Sequence, residues 1–141
     1  MLHYRVKLSK DTNRTILVDV PAVPEAHTFG DDRADALRRA PDAIESAFSI
    51  YIEDRRPIPL PDYAGRGAFV ALPALAEAKV GLYNAMLTAG ITKTELARKM
   101  GSSRQQVDRL LDICHASRIE QIECALRALG KTLSVEIFEA A

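Results

Sequence analysis

The chain has 141 residues, of which 48% are hydrophobic, and its 19 basic side chains are balanced by 19 acidic ones. This length and composition predict a folded protein of one ordinary domain or two small ones. The zero net charge excludes a chain that is polycationic throughout, so any binding of nucleic acid must come from a local basic surface.

The beginning of the chain lacks the apolar core of a signal peptide, and no apolar run reaches the roughly 18 residues that span a bilayer. We therefore expect a cytoplasmic protein. Cys114 and Cys124 lie ten residues apart without a CxxC motif, which predicts buried free thiols rather than a disulfide scaffold or a zinc site. Because His3, His27 and His115 share no ligand spacing with each other or with the cysteines, we predict no metal and no cofactor.

Hydrophobic residues alternate with polar ones in two segments that are separated by "KDTNR". This period of two predicts a β-hairpin with one buried face. The residues predicted to face the core are Tyr4, Val6, Leu8, Ile16, Val18 and Val20.

Two prolines, Pro21 and Pro24, end the second strand, and "HTFGDD" predicts a short extended piece and a turn. Asp32 is the predicted cap of a helix, and the negative charge of Asp35 is favourable near the positive, N-terminal end of that helix. Pro41 is expected to kink this helix or to begin its second part. The predicted core-facing stripe consists of Ala36, Leu37, Ala40, Ala43, Ile44, Ala47, Phe48 and Tyr51.

The stretch "RRPIPLPDYAGRG" predicts an extended connection, and "AFVAL" predicts one more strand. Beyond it the chain is predicted to be almost wholly helical, starting with a helix from Ala74 to Ala89 that Gly90 ends. We divide the chain into a core domain at 1–56, a connection at 57–73 and a helical domain at 74–141. The apolar face of the first helix of that domain is predicted to hold Leu75, Ala78, Leu82, Ala85, Met86 and Ala89.

Three capping boxes predict the starts of three further helices. Their residue pairs are Thr92 with Glu95, Ser103 with Gln106, and Ser117 with Glu120. The last helix is predicted to carry Ile119, Ile122, Ala125, Leu126 and Leu129. It stops at Gly130, and the alternation of Leu133, Val135 and Ile137 then predicts a terminal β-strand.

The segment "TKTELARKMGSSRQQVDRLL" places two lysines and three arginines against two acids, a local charge of +3. Its spacing is typical of a helix-turn-helix whose first position is Lys93. A small residue is needed where the two helices cross, a glycine at the turn, and apolar residues beneath the second helix. The residues at these positions are Ala97, Gly101, Val107 and Leu110.

The exposed face of the second helix is predicted to read DNA. Arginine and glutamine can each contact a base through two hydrogen bonds, so Arg104, Gln105 and Arg109 are the predicted base readers. Asp108 is expected to orient Arg104 or to accept from a cytosine amine. The predicted contacts to the phosphate backbone are Lys93, Thr94, Ser103 and Gln106.

We expect a two-fold dimer that reads two half-sites. The strand from Leu133 to Phe138 is a candidate dimer seam, because an exposed sheet edge can pair with its own copy. The alternative, that this strand folds back onto its own domain, is equally open.

The carboxylates of the first half do not predict catalysis, and we assign no catalytic residue. A ribonuclease H site needs several carboxylates that converge on metal ions, whereas the strands offer only Asp19, with Asp11 in a turn. Asp31, Asp32 and Asp35 are interpreted as caps and partners of the helix dipole. An acidic patch there could also attract a basic RNA-binding protein.

The patterns "YRVKLSKD…ILVDVPAVPEAHTFGDDRADAL", "ALPALAEAKVGLYNAMLTAGITKTELARKMGSSRQQVDRLLD" and "IEQIECALRALGKTLSVEI" resemble the helix-turn-helix branch of the HicB antitoxins over nearly the whole chain. The resemblance implies an α+β protein with a degenerate ribonuclease H-like N-terminal domain and a helix-turn-helix C-terminal domain. It also implies a small RNA-cleaving toxin partner, HicA, and repression of the protein's own operon.

Two alternatives remain open at this point. One is a free-standing transcriptional regulator that responds to a small molecule, and the other is a ribonuclease H-like enzyme that processes RNA.

Overall fold

The computed structural model describes residues 1–63 and 65–140 and contains four strands and five helices in that part of the chain. The strands are β1 (His3–Lys10), β2 (Ile16–Asp19), β3 (His27–Gly30) and β4 (Ala68–Ala71). The helices are α1 (Arg33–Glu53), α2 (Ala74–Ala89), α3 (Lys93–Met100), α4 (Arg104–Leu111) and α5 (Ile119–Ala128). The predicted α+β fold class is confirmed.

The four strands form one antiparallel sheet in the order β3-β2-β1-β4. The predicted hairpin is the pair β1 and β2, in which Lys7 lies opposite Asp19. The "AFVAL" segment adds β4 beside β1, with Val70 opposite Tyr4. Tyr4 and Val18 are almost completely buried, so the face that carries them is the core face of the sheet.

Helix α1 packs across the core face of the sheet. Asp32 caps it as predicted, because its Oδ1 accepts a hydrogen bond from the Asp35 amide at 2.8 Å. The Tyr4 and Phe48 rings lie 5.8 Å apart, centre to centre, between the sheet and the helix. The helix is continuous from Arg33 to Glu53, so the chain does not start a second helix at Pro41. Buried residues on both sides of the proline hold the helix against the sheet, which offsets the one backbone hydrogen bond that proline removes.

Helix α2 contacts both halves of the chain. The Tyr83 hydroxyl donates to the carbonyls of Tyr51 at 3.1 Å and Arg56 at 2.8 Å, close to the end of α1. The Asn84 side chain accepts from the Ile58 amide at 2.9 Å and donates to its carbonyl at 3.0 Å. On its other sides α2 packs against α4 and α5. It is therefore buried more broadly than the single predicted stripe, and Gly90 ends it in the left-handed conformation as predicted.

The third predicted capping box is wrong. Helix α5 begins after Arg118, and no side chain caps its first turn. The Ser117 hydroxyl instead accepts from the Lys79 ammonium at 2.9 Å and donates to the Arg109 carbonyl at 3.3 Å. A tertiary partner has thus taken the oxygen that the local pattern assigned to a cap.

The terminal strand predicted from Leu133 to Phe138 does not form in this chain. Val135 is 77% exposed and Ile137 is 94% exposed, whereas Leu133 is half-buried and packs against the core. A strand needs a neighbour that pairs with its backbone groups, and the sheet of this chain lies in the other half. Among the described residues, the alternating side chains therefore have no partner strand.

The prediction of buried thiols is also wrong, because Cys114 is exposed and Cys124 is half-buried. Among residues 1–63 and 65–140, no helix is long and apolar enough to cross a membrane.

Candidate functional site

Two short helices, α3 and α4, are joined by a tight turn at the residues that the sequence pattern marked. The Thr92 hydroxyl accepts from the Glu95 amide at 3.1 Å, and the Ser103 hydroxyl accepts from the Gln106 amide at 3.1 Å. Gly101 ends α3 with a φ of 65°, a left-handed conformation that glycine adopts without strain. Both predicted caps are therefore made, and the turn is as short as the pattern requires.

The underside of this helix pair is part of the hydrophobic core. Ala97 is 4% exposed, and Val107 and Leu110 are fully buried. The fifth residue of α3 is small at the point where α3 and α4 pack together. Helix α4 thus presents one apolar side to the protein, which leaves its opposite side to the solvent.

The predicted base readers lie on the solvent side of α4. Arg104, Gln105 and Arg109 are all exposed. Within the part of the chain that the structure describes, their side chains make no hydrogen bond or ion pair. Two guanidinium groups and one amide are consequently free to bind an external acceptor.

The Lys93 ammonium forms an ion pair on this surface with the Asp108 carboxylate, at 2.8 Å. The interpretation that Asp108 orients Arg104 is therefore wrong in the free protein, where its partner comes from the start of α3. Both side chains remain accessible, with exposed fractions of 36% for Lys93 and 49% for Asp108. An anion that binds Lys93 would compete with this carboxylate.

The other residues predicted to contact the phosphate backbone of DNA differ in their exposure. Thr94 and Ser103 are exposed, and Ser103 also caps α4. The Gln106 side chain is half-buried and donates to the Gln121 side chain of α5. In the free protein Gln106 thus ties α4 to α5 rather than facing the solvent.

One residue at this site was missed by the sequence analysis. Lys79 of α2 is fully buried and reaches the C-terminal end of α4. Its sequence signal is weak: a single lysine lies between Ala78 and Val80, one turn before Tyr83, in a helix whose other buried positions are uncharged. Only the packing of α2 against α4 reveals what its ammonium contacts.

The acids of the first half are used within the chain. Asp35 accepts from the Asp31 amide at 2.9 Å and pairs with Arg38 and Arg39. The backbone hydrogen bond from Asp31, followed by the two guanidinium groups, lowers the pKa of Asp35 against the effect of burial. Among the described residues no three His, Cys, Asp or Glu side chains are grouped as a metal site would need.

An open groove of about 460 Å³ lies between β3 and α1 in the N-terminal half. Glu25 lines it and pairs with Arg56 at 3.2 Å. The Tyr51 hydroxyl donates to Glu25, and this hydrogen bond, together with Arg56, lowers the pKa of the Glu25 carboxyl. Arg39 and Asp42 bring charges of both signs to the same groove, so its surface is mixed rather than acidic.

The chain is similar in sequence to known bacterial proteins. A family model described as "HicB_like antitoxin of bacterial toxin-antitoxin system" matches residues 3–81. A protein of Pseudomonas fluorescens named "Antitoxin HicB" is 43% identical over 139 residues, which cover 97% of this chain and 94% of that protein. "Antitoxin HicB 2" of Photorhabdus laumondii is 42% identical over 95% of each chain.

A third relative, "Antitoxin HicB" of Escherichia coli, is 38% identical over 95% of this chain and 98% of its own length. All three names describe antitoxins rather than enzymes, which confirms the prediction that the chain is not an enzyme. The resemblance inferred from the sequence is confirmed as well: the chain belongs to the HicB-like antitoxin family of bacterial toxin-antitoxin systems.

Proposed function

We propose that this antitoxin neutralises a HicA-like, mRNA-cleaving toxin with its N-terminal half and represses its own operon by binding operator DNA with α3 and α4. The observation that carries the DNA-binding role is the division of α4 into two sides. Val107 and Leu110 are buried beneath it, while Arg104, Gln105 and Arg109 are exposed and have no hydrogen-bond or ion-pair partner among the described residues. A surface used only for packing has no need of three such side chains.

The proposed reading of DNA follows from hydrogen-bond chemistry. An arginine can donate two hydrogen bonds to guanine, and a glutamine can pair with adenine, each contributing about 1–3 kcal/mol of discrimination. Thr94 and Ser103 lie at the starts of α3 and α4, where hydroxyls and free amides bind phosphate. Lys93 adds a positive charge beside them. These groups position the protein on the duplex, and the arginines and the glutamine select the sequence.

The proposed toxin-binding role is supported by family membership, since the relatives are named antitoxins. We assign toxin binding to 1–56 and DNA binding to 74–141, with 57–73 as the connection. Helix α2 makes hydrogen bonds to the end of α1 and to the end of α4. Toxin binding at one end of the molecule could therefore alter DNA binding at the other, as linkage requires of any two coupled sites.

The C-terminal segment supports a dimer as the working form. Val135, Ile137 and Phe138 are exposed in a segment that pairs with no strand among residues 1–63 and 65–140. Pairing with the same segment of a second copy would satisfy its backbone groups and bury these side chains. Such a two-fold dimer would present two copies of α4 to two half-sites.

The DNA-binding role is tested with two variants of the full-length protein on operator and random duplexes. Arg104→Ala should weaken operator binding and relax the preference at one base pair. Lys93→Ala should weaken binding to both duplexes alike and lower the slope of log affinity against log salt by roughly 1. Equal losses on both duplexes for both variants would contradict the proposed division of roles.

The toxin-binding role is tested by co-expression with the product of the adjacent gene. The full-length antitoxin should restore growth and co-purify with that product. Arg104→Ala serves as the matched control, because it should retain neutralisation while losing operator preference. Failure of the unsubstituted protein to bind the adjacent gene product would refute the toxin-binding role and leave the DNA-binding role standing.

A further inference from the structure

The ammonium of Lys79 has three hydrogen-bond partners inside the protein. Its Nζ donates to the carbonyl of Arg109 at 2.9 Å, to the carbonyl of Asp112 at 2.6 Å and to the hydroxyl of Ser117 at 2.9 Å. An ammonium group has three donors, so each finds an acceptor. The side chain has no exposed surface, and this arrangement excludes water from the charge.

The partners of Lys79 belong to the end of the DNA-reading helix. Arg109 lies in the last turn of α4, and Asp112 is the residue that caps its C-terminus. The final carbonyls of a helix lack intrahelical donors and carry partial negative charge. Here the Arg109 carbonyl also accepts from the Asp112 amide and from the Ser117 hydroxyl, each at 3.3 Å, and the Asp112 carbonyl accepts from the His115 amide at 3.1 Å. The ammonium is therefore an additional, charged donor that balances the helix dipole.

Burying a charge of this kind costs more free energy than burying an apolar side chain. Removing an ammonium from water is unfavourable, and an apolar side chain of the same volume often serves the fold equally well. Burial lowers the pKa of Lys79 in spite of the nearby Asp112, which shows that desolvation outweighs the charges around it. The group is better explained by what it holds in place than by the stability that it supplies.

We propose that Lys79 is a positioning residue for DNA recognition: by holding the C-terminal carbonyls of α4, it sets the direction in which Arg104, Gln105 and Arg109 project. This inference rests on the proposed DNA-binding function. Helix α4 has eight residues, about two turns, so a shift at its end reaches every reading side chain. Ser103 holds the start of α4, and Lys79 holds its end.

Helix α2 offers a matched control one turn away. The Tyr83 hydroxyl also donates to two main-chain carbonyls near the end of a helix, but its partners are Tyr51 and Arg56 at the end of α1. Tyr83→Phe therefore removes an equivalent anchor of the same helix in the other half of the chain. A general loss of stability should affect both variants, whereas a loss of positioning should affect only the one at Lys79.

The test compares Lys79→Met with Tyr83→Phe in the full-length protein. Binding to operator and random duplexes is measured by fluorescence anisotropy, at a temperature where circular dichroism shows both variants folded. Lys79→Met should lower the ratio of operator to random affinity about tenfold, the effect of roughly one lost base contact. Tyr83→Phe should leave this ratio within about twofold of the unsubstituted protein. An unchanged ratio in Lys79→Met, or the same loss in both variants, would overturn the positioning role.

Ser117→Ala and Arg104→Ala are measured in the same assay. If Lys79→Met does not fold, Ser117→Ala replaces it, because it removes one acceptor from the ammonium and should also lower the ratio. An unchanged ratio in that variant would overturn the inference. If the unsubstituted protein shows no operator preference, the proposed function fails and the inference falls with it. If Arg104→Ala loses the preference and Lys79→Met keeps it, only the positioning role fails.

Discussion

Replacing Asp108 by asparagine should increase binding to DNA of any sequence. The carboxylate lies 2.8 Å from the Lys93 ammonium on the surface proposed to face the duplex. Because this ion pair is largely exposed, its loss should lower the free energy of unfolding by no more than about 1 kcal/mol. The fold and the burial of α4 should therefore be unaffected.

The expected gain in affinity has two sources. A carboxylate about 8 Å from a phosphate is repelled by about 0.5 kcal/mol in water and by about 2 kcal/mol at the lower effective dielectric constant of a protein surface. Removing this repulsion should raise the affinity of Asp108→Asn for random DNA by about 2-fold to 30-fold. Lys93 also no longer has to leave the carboxylate before it binds phosphate, which adds to the gain; because it contacts one phosphate in both proteins, the slope of log affinity against log salt should stay the same.

Fluorescence anisotropy over a series of salt concentrations measures both quantities. Asp19→Asn is the matched control, because it makes the same change in net charge and also removes an exposed carboxylate, here one that lies 2.9 Å from the Nδ1 of His27 on the N-terminal sheet. Its affinity for random DNA should change less than twofold. Equal gains in the two variants would show that net charge alone acts, and no gain in Asp108→Asn would refute the proposed orientation of α4.

Three further predictions concern the fold and the assembly. Gly30→Ala should destabilise the protein by about 3 kcal/mol in urea denaturation, because the added Cβ would lie 2.2 Å from the backbone nitrogen of Ala36. Gly81→Ala has open space around its Cβ and should instead stabilise the protein by about 0.5–1 kcal/mol. A change of the same sign in both variants would contradict the close approach of β3 and α1. Burial raises the pKa of Tyr4, Tyr51 and Tyr83, which are three of the four tyrosines, and the pKa of Tyr51 reaches about 12. Their contribution to stability is present below about pH 10 and is lost as the pH rises through the folded-state pKa values. Ultraviolet absorbance at about pH 10.5 should therefore show less tyrosinate in native protein than in urea. Equal absorbance would contradict the burial of these tyrosines. Ile137→Lys should dissociate the proposed dimer in light-scattering measurements, and an unchanged mass would exclude this segment as the seam.

Much of the fold could be predicted because its signals are local. The period-two alternation identified β1 and β2, and Asp32, Thr92 and Ser103 were identified as caps from the residues that follow them within one turn. A cap depends on an amide only a few residues away, so the sequence carries all the information that it needs. Gly90 was predictable for the same reason, since few other residues adopt the left-handed conformation without strain.

Three of the failures share a cause, because each depends on a group from elsewhere in the chain. Ser117 has the spacing of a cap, but its oxygen is engaged by Lys79 from a helix 38 residues earlier. Asp108 has a suitable partner one turn away in Arg104, but contacts Lys93 across the turn. The segment that begins at Leu133 has the correct alternation but has no neighbouring strand among the described residues.

By itself, the sequence determined the α+β class, the order of the elements from β1 to α5, the family and the apolar side of α4. These properties follow from periodicity, turn residues and short-range hydrogen bonds, which are written in neighbouring positions. Only the tertiary structure decided where the charges lie: Lys93 against Asp108, and the Lys79 ammonium against the end of α4. Side chains from separate helices meet only after packing has brought them together, and the energy of a charge depends on what surrounds it rather than on what adjoins it in the chain.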